Sequence, residues 1–439
     1  MANLMSPSRT CVLLLTGWLV FAVLASVWPE LLSSHWQAGG WSVLFFVLVD
    51  AILLLRSPVM DVVRQLPGTL PIGVWSEVRL RISNGNAWPL KLEVFDGIPN
   101  ALDAHGMPRK IRLEPGIAAD LRYQVKPKER GAHQFEACYL RLTSPLNLWR
   151  RNLRGGPETL IRVFPNFAAV RKYAQLATSH RLAQLGIHRK RRRGEGMEFH
   201  QLRDYREGDS LRQIDWKATA RMRRLISRDY QDERDQQIVF LLDCGRRMRT
   251  RDGELSHFDH TLTAVLLTAY VALREGDAAG LLTFAGDQRW LPPRKTRTAL
   301  NELLQTLYDL QPSTIATDYL AAARICMTRV RKRSLVILVT NLRDEEDDTL
   351  LPALKLLRAR HLVLLVNLRE RSLEQALDDP VLDFDSALLH GAVHEYLDQR
   401  RKSFERIRAQ GVLSMDVLPE QLSVTMVNRY LALKRGGAI

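Results

Sequence analysis

Three patterns of apolar and polar positions follow one another along the chain. From Cys11 to Trp28 no charged residue interrupts the sequence, and a second apolar stretch runs from about His35 to Leu55 after a connection holding Pro29 and Glu30. At about 1.5 Å per helical residue, each stretch covers most of a hydrocarbon core of roughly 30 Å, so the pattern predicts a hairpin of two transmembrane helices. Trp28, Trp36 and Trp41 fall where interfacial aromatic belts are expected. A further apolar stretch directly after the first argues against a cleaved signal peptide. Arg9 precedes the pair and Arg56 and Arg64 follow it, while the connection holds no Lys or Arg, which predicts both termini on the cytoplasmic side. Asp50 lies inside the second stretch, about 9 Å along a helix from Arg56. It is expected to reach toward the interface or to bond to the first helix rather than to relay protons.

Between about Gly68 and Pro165 the pattern becomes period-two alternation, as in Val78-Arg79-Leu80-Arg81-Ile82 and Leu90-Lys91-Leu92-Glu93-Val94, broken by Asn84-Gly85-Asn86 and Asp96-Gly97. That is the pattern of strands and turns. Further strands are expected at 119–125, 132–142 and 159–164, enough for a small antiparallel sandwich. His105 and His133 stand alone in sequence and read as turn or surface residues. A basic connector over 171–193 follows, with Leu182, Leu185 and Ile187 as its apolar contacts.

From about residue 236, apolar strand-length runs alternate with helical stretches. Strands are expected at 238–242, 279–284, 335–339, 362–366 and 413–417, and helices at 257–274, 297–310, 319–331, 350–359, 392–409 and 419–433. Continuous apolar strands between helices imply a parallel sheet covered on both faces. The predicted fold is therefore multi-domain. It comprises a transmembrane helical hairpin (1–60), an all-β sandwich-like domain (61–166), a connector with a charged arm (167–235) and a doubly wound α/β domain (236–439). Ligands of such sheets sit at the carboxyl ends of strands. Asp243, Thr317 and Asn341 qualify by position.

Composition narrows the function classes. With 439 residues the chain exceeds one domain, and 46% hydrophobic with 25% charged residues is ordinary globular usage. Cys11, Cys138, Cys244 and Cys326 form no CxxC pair, which fits a reducing compartment. The net charge of +15 lies partly in the runs Arg189–Arg193 and Arg221–Arg224. Anionic lipid explains such runs beside a membrane anchor as well as nucleic acid does, so nucleic-acid binding is kept as an alternative, beside a cryptic hydrolytic activity. No GxxxxGK[ST] loop, GxSxG elbow or HExxH pair occurs, and the reading is a non-enzymatic interaction protein without an evident small-molecule substrate.

Residues 194–235 are dense in charges of both signs. Arg203, Tyr205, Gly208, Asp209, Arg212, Asp215, Trp216 and Arg221 mark this arm. Its residues suit a lattice of arginine–carboxylate pairs or a surface for a partner. On Arg130-Gly131, Ser144-Pro145-Leu146-Asn147-Leu148, Val163-Phe164-Pro165, the run 194–221 and the tail Val427-Asn428-Arg429-Tyr430, the chain resembles, over nearly its whole length, the bacterial proteins labelled domain of unknown function 58. These are often encoded beside MoxR-type AAA+ ATPases.

The resemblance implies a von Willebrand factor A-like α/β domain on a membrane hairpin in the bacterial inner membrane. It also implies work with such an ATPase in assembling or remodelling protein or cell-envelope complexes. Von Willebrand A domains commonly hold Mg²⁺ through an Asp-x-Ser-x-Ser loop, a threonine and a further aspartate, because Mg²⁺ demands octahedral oxygen ligands. Here the loop reads Asp243-Cys244-Gly245-Arg246-Arg247, and Asn341 takes the third-loop position. The leading expectation is a metal-free Asp243–Arg247 pair with no bound cofactor, a Mg²⁺ site being the alternative, and Asp243, Arg247, Thr317 and Asn341 form a face for a protein partner.

Overall fold

The structure, a computed structural model, describes residues 5–27, 29–56, 60–167, 170, 198–206, 211, 214–231, 236–296, 298–342 and 347–438. It divides into two compact units, Met1–Val163 and Phe164–Ile439.

In the first unit, α1 (Arg9–Val27) and α2 (Pro29–Leu55) are both long and apolar enough to cross a membrane. Their side chains, Leu13, Leu19, Phe45 and Leu48 among them, point outward unburied, as lipid-facing residues do. Helix α2 begins at Pro29, whose fixed φ and missing N–H suit a first helical residue, so the connection is shorter than the sequence pattern places it. The helices touch closely at Gly40, where a Cβ would come 2.8 Å from Trp18.

The strands of this unit are β1 (Met5–Pro7), β2 (Met60–Gln65), β3 (Thr69–Pro71), β4 (Ser76–Asn84), β5 (Leu90–Gly97), β6 (Leu102–His105), β7 (Arg109–Leu113), β8 (Ala118–Pro127), β9 (Gly131–Thr143), β10 (Trp149–Gly155) and β11 (Thr159–Phe164). One sheet runs β2-β4-β8-β6. The other runs β1-β10-β9-β11-β3, with β5 also on β9 and β7 on β5. Alternation sets their faces: Val78, Leu80 and Ile82 of β4 are buried while Glu77, Arg79 and Arg81 are not. Leu80 and Ile82 pack in one cluster with Leu92, Val94, Leu140 and Leu142 of the other sheet. Beneath it, buried Arg64 pairs with Asp96, which also accepts from the Tyr123 hydroxyl. Burial and the Asp96 charge push the Tyr123 phenol well above its ordinary range.

Asp50 corrects the sequence reading. Its carboxylate is fully buried and bonds to the β9–β10 turn rather than to the first helix. It accepts from Ser144 Oγ at 2.5 Å, Leu146 N at 3.0 Å and Leu148 N at 3.2 Å. Trp149 Nε1 donates to Val47 O at 3.0 Å and Arg151 Nη1 to Leu54 O at 3.2 Å. The helical pair and this sheet are thus joined by buried hydrogen bonds at the end of α2. The Ser144–Leu148 motif is the receptor for Asp50.

The second unit opens with an antiparallel pair, β12 (Glu198–Asp204) and β13 (Ile226–Gln231), flanking helix α3 (Trp216–Met222). It continues through β14 (Gln237–Asp243), the small hairpin β15 (Arg251–Asp252) and β16 (Leu255–Ser256), α4 (His257–Arg274), β17 (Ala278–Phe284), β18 (Trp290–Arg294), α5 (Ala299–Leu307), α6 (Tyr319–Arg329) and β19 (Leu335–Thr340). The remaining elements are α7 (Asp347–Arg358), β20 (Leu362–Leu368), α8 (Arg371–Asp378), α9 (Phe384–Ala409), β21 (Leu413–Val417) and α10 (Leu422–Arg435). The large sheet has the order β18-β17-β14-β19-β20-β21.

Five of these strands are parallel, and β18 adds an antiparallel edge that the periodicity does not predict. Pro292 and Pro293 cannot donate to a ladder, so this run is tolerated only at an edge. Residues of β14 alternate between two cores. Ile238, Phe240 and Leu242 pack with α4 and α10 residues, whereas Val239 and Leu241 pack with α6 and α7 residues. The tail motif closes the first of these cores. Tyr430 is buried, and its hydroxyl donates to Asp277 at 2.6 Å beside Lys434 Nζ, 2.6 Å from the same carboxylate.

Candidate functional site at the carboxyl edge of the parallel sheet

Strand β14 lies between β17 and β19, so the chain leaves it first toward one neighbour and returns to the other. Its carboxyl end is the switch point where open α/β sheets leave a crevice. Asp243 stands there, fully buried. Its described hydrogen bonds come from Gly245 N at 2.7 Å, Thr317 Oγ1 at 3.1 and 3.2 Å to the two oxygens, and Thr340 Oγ1 at 2.7 Å. Thr340 in turn meets the Tyr319 hydroxyl at 2.8 Å.

Backbone bonds fix both loops. Cys244 N donates to Phe284 O at 2.9 Å, Ser313 N to Cys244 O at 2.7 Å and Arg246 N to Ile315 O at 3.0 Å. The Asp243 bonds tie the carboxylate to the loop after β14, to Thr317 just before α6 and to the end of β19. Ile315 and Arg246 are exposed beside it.

The structure brings Asp243 and Thr317 together and puts Asn341 in an adjoining network. Asn341 Nδ2 lies 3.2 Å from His257 Nδ1 and 3.5 Å from Glu370 Oε1. His257 Nε2 lies 2.8 Å from Asp252 Oδ2, which also accepts from Arg371 N at 3.1 Å. The His257 ring thus bridges Asn341 at Nδ1 and Asp252 at Nε2. Arg247 is buried in the single turn Arg246–Arg249 that follows the Asp243 loop. Thr340, His257 and Asp252 are not among the site residues expected from the sequence. The hydroxyl ending the apolar run Leu335–Val339 is the one signal that marks Thr340.

An Asp-x-Ser-x-Ser cation site does not fit this arrangement. A Cβ at Gly245 would overlap Thr317 Oγ1 and come within 3.0 Å of Asp243 Oδ1, so no side-chain hydroxyl has room at that position. The hydroxyls that are present already donate to the carboxylate.

In the described part of the charged arm, Asp215 joins α3 to β13. This residue caps α3 by accepting from Ala218 N at 3.0 Å and receives Arg228 Nε at 2.9 Å. The capping amide first, then Arg228, holds its carboxyl below the usual carboxylate range. Tyr205 N bonds to Leu225 O at 2.9 Å and Arg203 Nη1 to Asp204 O at 3.2 Å, while Trp216 and Arg221 are exposed on α3. Gly208, Asp209 and Arg212 lie outside the described residues, as do the run Arg189–Arg193 and the connector contacts Leu182, Leu185 and Ile187.

The fold and this edge define a chain with an α/β unit behind two membrane-length helices. Residues 201–407, a little under half of the chain, match the family described as "Protein of unknown function DUF58". The match takes in most of the arm and the α/β unit through α8 and most of α9. The motifs at 144–148 and 427–430 lie beyond it. No curated protein matches the chain.

Among solved structures, Salmonella alpha-2-macroglobulin is similar at 17% identity over 24% of this chain and 7% of its own, with a TM-score of 0.19. The CARDB domain of PF1109 from Pyrococcus furiosus is similar at 12% identity over 25% of this chain and 90% of its own, with a TM-score of 0.17. Proximal thread matrix protein 1 from the mussel byssus shares 13% identity over 45% of this chain and 46% of its own, with a TM-score of 0.28. These likenesses are too slight to bear on function.

Proposed function

We propose that this protein is a membrane-anchored adaptor whose von Willebrand factor A-like domain presents the carboxyl edge of its sheet to a protein partner. In this reading the partner is a MoxR-type AAA+ ATPase, and the sheets of the first unit and the whole second unit lie on the cytoplasmic side of a bacterial inner membrane. The observation that carries the reading is the closure of Asp243 by Thr317, Thr340 and Gly245. A carboxylate whose hydrogen bonds come from fixed internal donors stiffens a surface, whereas catalysis or cation binding needs oxygens that can reach a ligand. The buried joint at Asp50 supports the anchoring half, because it makes the helices and the first unit's sheet one mechanical body.

The test is crosslinking in intact membranes followed by mass spectrometry, comparing the native chain with Ile315→Asp, which changes only an exposed side chain beside the site. Capture of the ATPase by the native chain, lost in the variant, is the expected result. Equal capture by both would exclude this edge as the docking face. Recovery of no ATPase from either would remove the partner.

A further inference from the structure

Two exposed patches of the second unit carry opposite charges around apolar centres. The first spans the end of α8 and the start of α9. There Val381, Leu382, Phe384, Leu388 and Leu389 are all exposed, Leu382 by 84% and Phe384 by 80%. Asp378, Asp379 and Asp385 stand exposed among them and make no ion pair among the described residues. The one cation between residues 371 and 389, Arg371, pairs with Glu420.

The second patch is the charged arm, where Leu202, Leu211, Trp216, Met222 and Leu225 are exposed, Leu211 by 72% and Trp216 by 67%. Lys217, Arg221 and Arg223 rim it without an ion pair among the described residues, while Asp204 and Asp215 are taken by Arg224 and Arg228. Neither α3 nor α8 buries any residue in its own unit. Elements that bury nothing at home and expose large apolar side chains beside unpaired charges mark contact surfaces.

We propose that a second copy of this chain covers these patches head to tail, the acidic tip of one copy docking on the basic arm of the next. Like-to-like pairing would set Asp against Asp or Arg against Arg, which costs several kcal/mol in such contacts, whereas unlike pairing matches both charge and apolar content. An anionic lipid surface would attract the arm and repel the tip, so it accounts for only one of the two. Phe384 and Trp216 each offer about 150–250 Å². Four further apolar chains on each side bring the patches toward the roughly 800 Å² per partner of a stable interface. Because the two patches differ, the contact is heterologous and propagates into a ring or an open row of chains. This proposal stands independently of the ATPase reading.

The test uses the full chain in detergent micelles, with sedimentation velocity at tens of micromolar and low ionic strength. The native chain is expected to self-associate and to dissociate as salt rises. Asp379→Arg/Asp385→Arg and Lys217→Glu/Arg221→Glu should each weaken association by about tenfold or more, since each juxtaposes like charges. Mixing the two variants one to one should restore association, because each then presents what the other lacks. All four positions are exposed, and unchanged circular dichroism separates lost association from lost folding. A native chain that stays monomeric, or variants whose mixture remains as dissociated as either alone, would overturn the proposal.

Discussion

At the level of single residues, the Asp243 cluster makes a sharp stability prediction. Because a Cβ at Gly245 would overlap Thr317 Oγ1, Gly245→Ser should destabilise the second unit by about 1–3 kcal/mol, in the range of overpacked cores. Thr317→Ala removes the obstructing hydroxyl. The double variant should therefore lose less than the sum of the singles, a coupling that a thermal double-mutant cycle measures. Added Mg²⁺ should leave the melting temperature of Gly245→Ser unchanged; a rise would show that a cation site had been restored.

The buried thiols give a second expectation. Burial pushes Cys138 and Cys326 up to about 12, so iodoacetamide near neutral pH should label neither in the folded chain and both after denaturation.

His361 carries the pH dependence. It is buried, neither ring nitrogen has a hydrogen-bond partner among the described residues, and burial first, then Arg360, lowers its pKa. The folded chain binds this proton less well than the unfolded chain does. Stability is therefore full above the ordinary histidine value of about 6.5 and falls as pH drops below it. Half-buried His260 shifts in the same direction, mainly by burial. The melting temperature should thus fall between neutral pH and the mid-5 range. His361→Leu should raise stability by about 1 kcal/mol or more and reduce that fall, because it removes an unsatisfied buried polar group.

At the level of elements, the sequence pattern is most legible where periodicity is long. The apolar runs of β14, β19 and β20 and the amphipathic run of α4 are plain in the sequence because each is set by burial against neighbours on both faces. Strands β1, β3 and β18 are not. Two are three residues long and the third contains Pro292-Pro293, so each is defined by its partner rather than by its own pattern.

Asp50 shows the same limit. A carboxylate in an apolar run is visible at once, but its receptor lies 94 residues away in the Ser144–Leu148 turn. Asp50→Ala should leave one hydroxyl and two amides without their acceptor and cost about 2–4 kcal/mol. Asp50→Asn, which keeps an acceptor oxygen, should cost less. Thermal unfolding in nanodiscs, read through Trp149 fluorescence, checks the order.

At the level of the whole molecule, the sequence marks Asp243 and Thr317 by position, and the structure joins them. It sets Asn341 instead with His257 and Asp252, whose association depends on the turn of β15 and β16 and has no sequence signature. The arm is a mixed outcome. Among its described residues Asp215 pairs with Arg228 and Asp204 with Arg224, while Leu202, Leu211, Trp216, Met222 and Leu225 remain on the surface.

The most direct measurement is the affinity of the full chain in nanodiscs for a MoxR-type AAA+ ATPase, with Ile315→Asp and Arg246→Glu as variants. Binding by the native chain that weakens about tenfold or more in both variants, at unchanged melting temperature, is the predicted result. Absence of binding, or equal affinity across all three chains, would contradict it.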